Sequence, residues 1–427
     1  MHTAKERLLT TLGVRPVAIW GARMTGIGFR RLATQNGINA VAFIDSDPCL
    51  NGKEIGGLSI YAPAQLPLLR KQHPGLLVVI AVSIKEDEIV ELLQRGGLTP
   101  ADYLRYSEYC QSFYTIDVVG SCNLKCPSCV HSLDTTGIPK GLMSIEDFQA
   151  VTAKMMTDIG LVSHICLYSW GEPFLHPKLD QIIEHVHRIG VATAVSTNLS
   201  VISSDQIEKV VKAAPEYLKI SLSGYYPDAY NSTHAGGDVN LVKSNLYKLR
   251  HFINKHKAPI FVEVNYHLYN NNAGPDLKKM QDLCAELGFS LATVYANVTP
   301  VERLIDYCEG KRDPVITELS KLLLVNIDQG LEVTRAYRHL PCRFLTNQIN
   351  INWDRTIPLC CVCFYRGDTI LSQDYLKDSL DVILKNKENH RLCARCRKHG
   401  IPPYLLGVNQ KGWEAIAKDY ERTHHRH

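Results

Sequence analysis

The chain lacks a long hydrophobic run, a low-complexity tract and an internal repeat. Its longest apolar stretch, LLVVIAVSI at 76–84, is too short to span a bilayer. The N-terminal MHTAKERLLTTLG contains no apolar signal core. The net charge is only +4, and no basic stripe with interleaved aromatic residues is present. These absences lead us to expect a cytoplasmic protein that binds neither membranes nor nucleic acid.

What the chain does have is length and cysteine. Its 427 residues can form two or three domains, and 14 of them are cysteines. Disulfides are rare in a reducing compartment, where clustered thiols more often bind metal or take part in catalysis. Most of the cysteines fall into two clusters along the chain, which predicts two metal-binding regions.

Residues 16–110 alternate between apolar strands and amphipathic helical segments. We predict strands at 16–20, 40–45, 76–82 and 102–106, with helices near 27–36 and 86–95. This alternation is typical of a Rossmann-like, doubly wound parallel sheet.

The first strand of this segment leads into a glycine-containing turn that begins a helix. Gly21 and Gly26 have the outline of a phosphate-binding turn, and Asp45 ends the second strand where a ribose-binding acid would lie. Arg23, however, replaces the glycine that lets the backbone approach a pyrophosphate. The segment resembles the Rossmann-like domains of sugar-modifying and capsule-type enzymes, including FIDSDP after the second strand. Nucleotide or nucleotide-sugar binding and a purely structural turn both stay open.

From residue 112 a second series of strands and helices begins. We predict six strands at 114–119, 164–170, 191–197, 217–223, 259–268 and 289–295, joined by helices. Six units are two fewer than a complete eightfold barrel has, so we predict a partial (β/α)6 TIM-type barrel. Chemistry in such folds takes place at the carboxyl ends of the strands.

Three cysteines, Cys122, Cys126 and Cys129, follow the first predicted barrel strand. Three thiolates can hold three irons of a [4Fe–4S] cluster and leave the fourth iron free for an outside ligand. A zinc site with a fourth ligand from elsewhere, or metal-free buried cysteines, are the alternatives.

The spacing C-x-x-x-C-x-x-C resembles that of the radical S-adenosylmethionine (radical SAM) superfamily. Further motifs of that superfamily follow the next strands in the same order, and the resemblance implies SAM contacts from Gly171, Glu172, Pro173, Ser196, Asn198, Ser221 and Ser223. Two positions depart from the pattern: Ser128 replaces a frequent aromatic residue, and Ser223 replaces the usual aspartate. The resemblance implies that the open iron chelates SAM, whose reductive cleavage gives a 5′-deoxyadenosyl radical.

The second cysteine cluster resembles the SPASM and twitch auxiliary-cluster domains of radical SAM enzymes. The resemblance implies an auxiliary [4Fe–4S] cluster on Cys342, Cys360, Cys393 and Cys396. Cys361 and Cys363 are spare, and either could replace a ligand or donate a hydrogen atom in catalysis. Arg355 stands where relatives usually have glycine. Spacing alone does not separate this cluster from a four-cysteine zinc site.

These motifs predict an α/β protein with five segments. They are a Rossmann-like domain at 1–110, a radical SAM partial barrel at 111–300, a helical connector at 301–341, a small cysteine-rich iron–sulfur domain at 342–405 and a C-terminal tail at 406–427, whose last residues ERTHHRH we expect to be frayed. We predict hydrogen abstraction from an unactivated carbon of a polar small molecule, with oxidation, epimerisation or rearrangement as the net reaction. The substrate class is a sugar, aminocyclitol or nucleotide-sugar, and a flavodoxin, ferredoxin or reductase would donate the electron.

Three other functions stay open on the sequence. The chain could be a radical SAM enzyme that modifies peptides or proteins. It could be an NAD-dependent oxidoreductase that uses Asp45 and has structural metal sites. It could also be a metal-stabilised interaction scaffold without turnover.

Overall fold

The computed structural model describes residues 3–83, 85–110, 113–132, 140–201, 203–311, 313–363 and 367–424. Within these residues the strands form a six-stranded sheet, a seven-stranded sheet and a small two-stranded sheet. The predicted fold class is confirmed: a Rossmann-like parallel sheet precedes a partial barrel, and a cysteine-rich region follows.

The N-terminal sheet has the strand order β3-β4-β2-β1-β5-β6. Its strands are β1 (Val17–Trp20), β2 (Ala40–Ile44), β3 (Glu54–Ile55), β4 (Leu58–Tyr61), β5 (Leu77–Ile80) and β6 (Tyr103–Arg105). Its helices are α1 (Ala4–Leu12), α2 (Met24–Gln35), α3 (Leu66–Gln72) and α4 (Glu86–Arg95). All pairings are parallel except that of β3 with β4. The sequence does not predict this hairpin, because its strands are too short to show an alternating pattern.

The six predicted barrel strands are present and parallel. They are β7 (Phe113–Ile116), β8 (His164–Cys166), β9 (Ala192–Thr197), β10 (Tyr217–Ser221), β11 (Phe261–Leu268) and β12 (Ser290–Tyr295). The helices between them are α5 (Ile145–Ile159), α6 (Leu179–Arg188), α7 (Ser204–Ala213), α8 (Pro227–Thr233), α9 (Val239–His256) and α10 (Pro275–Leu287). Hydroxyl N-caps begin α5 and α7, at Ser144 and Ser203. The aliphatic residues of the strands pack against the helices in one continuous core.

The C-terminal part has more secondary structure than predicted. Its helices are α11 (Val301–Cys308), α12 (Pro314–Leu322), α13 (Ile327–Val333), α14 (Arg343–Asn347), α15 (Leu380–Glu388), α16 (Arg391–Lys398), α17 (Ile401–Leu405) and α18 (Gln410–His424). Its strands are β13 (Gln348–Ile351), β14 (Ile357–Pro358) and β15 (Ile370–Ser372). Within the predicted C-terminal tail, residues 410–424 form α18, whose Trp413 is buried and packs against Tyr404 with 5.5 Å between ring centroids.

The barrel sheet has a seventh strand, which the sequence did not predict. β13 pairs in parallel with β7, and Ile349 lies opposite Tyr114. The sheet order is β12-β11-β10-β9-β8-β7-β13, so the cysteine-rich region extends the barrel at the β7 edge. Four residues were too few to separate this strand from the irregular chain around it.

The N-terminal domain covers the amino ends of the barrel strands. Arg31 pairs with Glu216, which precedes β10, and Lys53 Nζ donates to Ser290 Oγ at 2.9 Å at the first residue of β12. Met24 of α2 contacts Cys166 of β8, with 3.7 Å between the sulfurs. The domain therefore lies at the end of the barrel opposite the carboxyl ends of the strands. Among the described residues, no helix has the length and apolarity that a membrane span requires.

Candidate functional site

The loop after β7 brings Cys122, Cys126 and Cys129 together at the carboxyl end of the barrel sheet. A backbone hydrogen bond from Cys129 N–H to the Cys126 carbonyl, 2.8 Å long, tightens the loop. The Cys122 sulfur accepts from the Leu124 N–H at 3.4 Å. Burial and the neighbouring thiols together raise the pKa of the Cys122 and Cys126 thiols to about 12. These sulfurs would therefore ionise readily only when they bind a cation, as metal-ligating cysteines do.

Glu172 connects two of the predicted motifs beside this loop. Its side chain is 3% exposed. One carboxylate oxygen accepts from the Thr197 hydroxyl at 2.6 Å and from the Phe174 N–H at 3.0 Å, and the other accepts from the Asn198 N–H at 2.8 Å. Burial raises the pKa of Glu172 to about 7, while these donors act in the opposite direction. The turn containing Gly171 and Pro173 is thus held against the end of β9.

Asn198 links that motif to the cysteine loop. Its side-chain amide donates to Asn123 Oδ1 at 2.9 Å and lies 3.6 Å from the Cys122 sulfur. Three stretches that are far apart in sequence, at 120–132, 171–174 and 196–198, therefore meet in space. This convergence agrees with the prediction that they form one site.

Asp117 is a site residue that the analysis of the sequence did not single out. It follows β7, and its carboxylate accepts from the N–H groups of Trp170 and Gly171 at 3.1–3.3 Å. Burial raises its pKa to about 7. An acid in an otherwise apolar strand, YTIDVV, was the signal that could have identified it.

The remaining predicted SAM contacts lie on neighbouring strands. Ser196 is on β9 and Ser221 ends β10. Ser223 is buried, and its hydroxyl accepts from the His267 N–H at 2.9 Å, so this oxygen already joins β10 to β11. Burial lowers the pKa of the His267 ring to about 4, which keeps the imidazole neutral.

Lys219 lies on the same face of β10, two residues before Ser221. Its ammonium group stands over the Tyr168 ring, 4.7 Å from the centroid. Burial lowers its pKa, while Cys166, Glu263 and Cys361 act in the opposite direction. Among the residues that the structure describes, none forms a hydrogen bond or an ion pair with Lys219 Nζ. The sequence did not mark this lysine, because nothing local shows that it faces the barrel interior.

The predicted nucleotide contacts lie at the opposite end of the barrel. Asp45 accepts from the N–H groups of Ala22 at 2.8 Å and Asp47 at 2.9 Å. Arg23 is paired with Asp47 at 2.6 Å and with the buried Glu263 of β11 at 3.0 Å. Gly26 is required by the turn itself, since a Cβ there would lie 1.7 Å from the Gly21 carbonyl oxygen. Asp45 and Arg23 therefore already have partners within the chain, and the ion pair of Arg23 with Glu263 holds the start of α2 against the barrel.

The second cysteine cluster lines a cavity of about 40 Å³. Five cysteines line it: Cys342, Cys360, Cys363, Cys393 and Cys396. The thiols act electrostatically on one another, so they lie close together. All four predicted auxiliary ligands are therefore at one site, with Cys363 as a fifth candidate ligand.

Cys361 differs from Cys363 in its surroundings. Cys361 is not among the residues that line the cavity, and its thiol acts electrostatically on Tyr168 and Lys219 of the barrel as well as on its neighbours Cys360 and Lys387. Cys363 is 3% exposed and interacts with Cys360 and Cys393. The structure thus separates the two cysteines that the sequence left equivalent.

Both cysteine sets fit iron–sulfur clusters by their donor chemistry. Within the described ranges, no three histidine, cysteine or acidic side chains converge closely enough to ligate one metal ion. The thiolates of a [4Fe–4S] cluster bind different irons and need not converge on one point. Three thiols at the first site and at least four around the second cavity supply the sulfur donors that such clusters use.

Comparison with known proteins agrees with this geometry. The family model described as the Radical SAM superfamily matches residues 116–284. This range includes the cysteine loop, Glu172, Asn198 and the strands β8 to β11.

Two relatives and one solved structure illustrate the similarity. The chain is 25% identical over 265 residues to the tungsten-containing aldehyde ferredoxin oxidoreductase cofactor-modifying protein of Pyrococcus furiosus, a match covering 57% of this chain and 69% of that protein. It is 24% identical over 143 residues to GTP 3′,8-cyclase of Clostridium botulinum (strain Hall), covering 32% of this chain and 43% of the cyclase. The structure of Streptococcus suis SuiB bound to S-adenosylmethionine superposes with a TM-score of 0.45 and 15% identity, covering 74% of this chain and 79% of SuiB.

The superfamily uses a [4Fe–4S] cluster and SAM, and these are the cofactors of this enzyme. Residues 116–284 therefore match a radical SAM domain, and a cysteine-rich region follows it.

Proposed function

We propose that Cys122, Cys126 and Cys129 hold the [4Fe–4S] cluster that binds SAM. The observation that carries the proposal is the convergence of this loop with Glu172 and Asn198 at the carboxyl end of the barrel. When bound, the cluster and SAM would supply a 5′-deoxyadenosyl radical, which can take a hydrogen atom from an unactivated carbon.

The chain's own residues would orient and enclose these groups. Asn198 positions Cys122, and Asp117 holds the backbone of Gly171 in the turn beside the loop. We assign the predicted SAM contacts to this edge of the sheet: Gly171, Glu172, Pro173, Ser196, Asn198, Ser221 and Ser223. The N-terminal domain covers the far end of the barrel and would help to exclude water from the radical.

We further propose an auxiliary [4Fe–4S] cluster in the second cavity. Cys342, Cys360, Cys393 and Cys396 are its ligands, and Cys363 is the residue placed to replace one of them. Cys361 faces the barrel and is the candidate hydrogen-atom donor, whereas a zinc ion in the cavity is the competing assignment.

We propose a small polar substrate, namely a sugar, an aminocyclitol or a nucleotide-sugar. Lys219 supports this class, because its ammonium group faces the barrel interior beside Tyr168 and could bind a phosphate or carboxylate. The printed name of one relative, GTP 3′,8-cyclase, also specifies a nucleotide substrate. A flavodoxin, ferredoxin or reductase would donate the electron.

The nucleotide site predicted at Gly21, Gly26 and Asp45 does not form part of this proposal. Its carboxylate accepts from the turn's own N–H groups, and the turn lies at the end of the barrel away from the cysteine loop. This placement also weighs against an NAD-dependent reaction through Asp45.

The first test is SAM cleavage by the anaerobically reconstituted chain with dithionite. We expect 5′-deoxyadenosine from the unaltered chain and none from the Cys122→Ala, Cys126→Ala and Cys129→Ala variants. Cys49→Ala is the matched control, because Cys49 is exposed and outside both cysteine sets. Absence of 5′-deoxyadenosine from a chain with fully loaded clusters would contradict the proposal.

Metal analysis tests the auxiliary site. Two clusters correspond to about eight irons per chain, whereas a zinc ion in the cavity would give about four irons and one zinc. The variant lacking Cys393 and Cys396 should lose about half of the iron and retain some SAM cleavage.

A third experiment addresses the substrate class. Nucleotide-sugars, phosphorylated sugars, aminocyclitols and short peptides would be added singly, and the rate of 5′-deoxyadenosine formation measured. We expect stimulation by an anionic sugar derivative and loss of that stimulation in Lys219→Met, with Lys212→Met, an exposed lysine on the preceding segment, unaffected. Stimulation by peptides alone would indicate the peptide-modifying alternative.

A further inference from the structure

A lysine lies among the thiols of the second cavity. Lys387 of α15 is 4% exposed and lines the cavity together with Cys342, Cys360 and Cys393. Its ammonium group donates to the Phe344 carbonyl at 2.7 Å and to the Gln348 carbonyl. An ammonium group has three N–H donors, so one remains for the cavity.

The charge of Lys387 has no carboxylate partner among the described residues. The groups that act on it electrostatically are the thiols of Cys360, Cys361, Cys342 and Cys393. A buried ammonium is costly unless an opposite charge is close to it. Neutral thiols do not provide that charge, whereas a metal cluster with four thiolate ligands is an anion.

We propose that Lys387 is the internal counter-ion of the auxiliary cluster and raises its reduction potential. The inference rests on the proposed function, which places a [4Fe–4S] cluster on Cys342, Cys360, Cys393 and Cys396. Reduction adds negative charge to the cluster, and a nearby buried cation stabilises the reduced form.

A raised reduction potential would make the auxiliary cluster an electron acceptor in the reaction. If a substrate carbon gives a hydrogen atom to the 5′-deoxyadenosyl radical, which becomes 5′-deoxyadenosine, the substrate radical would lose one electron to the auxiliary cluster and one proton to solvent or a base. The net result is a two-electron oxidation of the substrate. A fixed positive charge at Lys387 favours this electron transfer.

If Lys387 were only structural, its ammonium group would serve only to hydrogen-bond the carbonyl groups of Phe344 and Gln348. Substitution separates the two roles. Lys387→Arg keeps the charge, whereas Lys387→Gln keeps an N–H donor without the charge. Lys385→Gln is the matched control, because Lys385 is exposed on the same helix.

The test is a redox titration followed by EPR in a chain that also carries the three substitutions Cys122→Ala, Cys126→Ala and Cys129→Ala. Only the auxiliary cluster then contributes to the signal. We expect Lys387→Gln to disfavour the reduced form at least tenfold, a midpoint about 59 mV more negative for one electron. Lys387→Arg and Lys385→Gln should keep the midpoint close to that of the parent chain.

Each outcome decides the proposal. An unchanged midpoint in an iron-loaded Lys387→Gln chain overturns the role of Lys387 and leaves the cluster assignment intact. If Lys387→Gln does not retain iron, Lys387→Arg decides: a midpoint far from that of the parent chain overturns the proposal, and an unshifted one supports it. Zinc in place of iron in the parent chain overturns the cluster assignment, and the inference with it.

Discussion

Replacing Gly120 by alanine should disturb the entry to the cysteine loop through one contact. Trp353, which follows β13, packs against the backbone of Gly120, two residues before Cys122. A Cβ at Gly120 would lie 2.0 Å from the indole nitrogen, and real Cβ contacts are essentially never below 3.0 Å. The indole would therefore have to move by about 1 Å or more. Overpacking of this kind typically costs about 1–3 kcal/mol.

A double-mutant cycle tests this reasoning. Trp353→Ala removes the obstacle. Removing a buried tryptophan usually lowers the free energy of unfolding by about 3–5 kcal/mol, and we expect a value near the lower end because Trp353 is only half-buried. Gly120→Ala should then cost almost nothing in the Trp353→Ala chain, so the cycle should show a coupling of about 1–3 kcal/mol.

The measurements are urea unfolding of the metal-free chain and iron content after anaerobic reconstitution. We expect Gly120→Ala to lower both the unfolding midpoint and the iron retained by the first cluster. Gly274→Ala is the control, because a Cβ at Gly274 meets nothing within 4 Å. An equal cost of Gly120→Ala with and without Trp353 would refute the steric explanation.

The remaining predictions concern charge. Arg23→Met should destabilise the chain by about 2 kcal/mol after discounting for the partial exposure of Arg23, because it leaves the buried Glu263 without its cation. Arg95→Met, which breaks an exposed ion pair, should change the unfolding free energy by less than about 0.5 kcal/mol, and an equal effect of the two would contradict the docking role of Arg23. Asp117 and Glu172 should each stabilise the metal-free chain more at about pH 5 than at about pH 8, whereas buried neutral histidines such as His267 act in the opposite direction. The raised pKa values of Asp117 and Glu172, each about 7, mean that the folded chain holds protons which the unfolded chain releases near pH 4, so stability is lost as the pH rises through 7. The free energy of unfolding of the unaltered chain minus that of Asp117→Asn should be larger at about pH 5 than at about pH 8, and an equal value at both pH values would exclude Asp117 as a source.

Much of the candidate site was visible in the sequence because its determinants are local. The cysteine loop has a characteristic spacing, and Glu172 and Asn198 each follow a strand that an apolar run predicts. Parallel strands place their carboxyl ends at one edge of a sheet, so order along the chain was enough to predict convergence.

The residues that the analysis of the sequence missed depend on distant partners. Asp117, Lys219 and Lys387 are ordinary residues in their local sequence, and only the contacts of the folded chain show that they lie beside backbone donors, an aromatic ring and thiols, respectively. The same holds for Trp353, whose partner Gly120 lies more than two hundred residues earlier.

By itself, the sequence determined the class of the protein: two series of parallel strands, a three-cysteine loop and a second cysteine cluster. Those features arise from periodicity and short spacings, which are properties of the local chain. Only the tertiary structure decided that the N-terminal domain docks by Arg23 on the amino ends of the barrel, that β13 extends the sheet, and that Cys363 rather than Cys361 lines the second cavity. The physical reason is that packing between distant segments selects which side chains share a space.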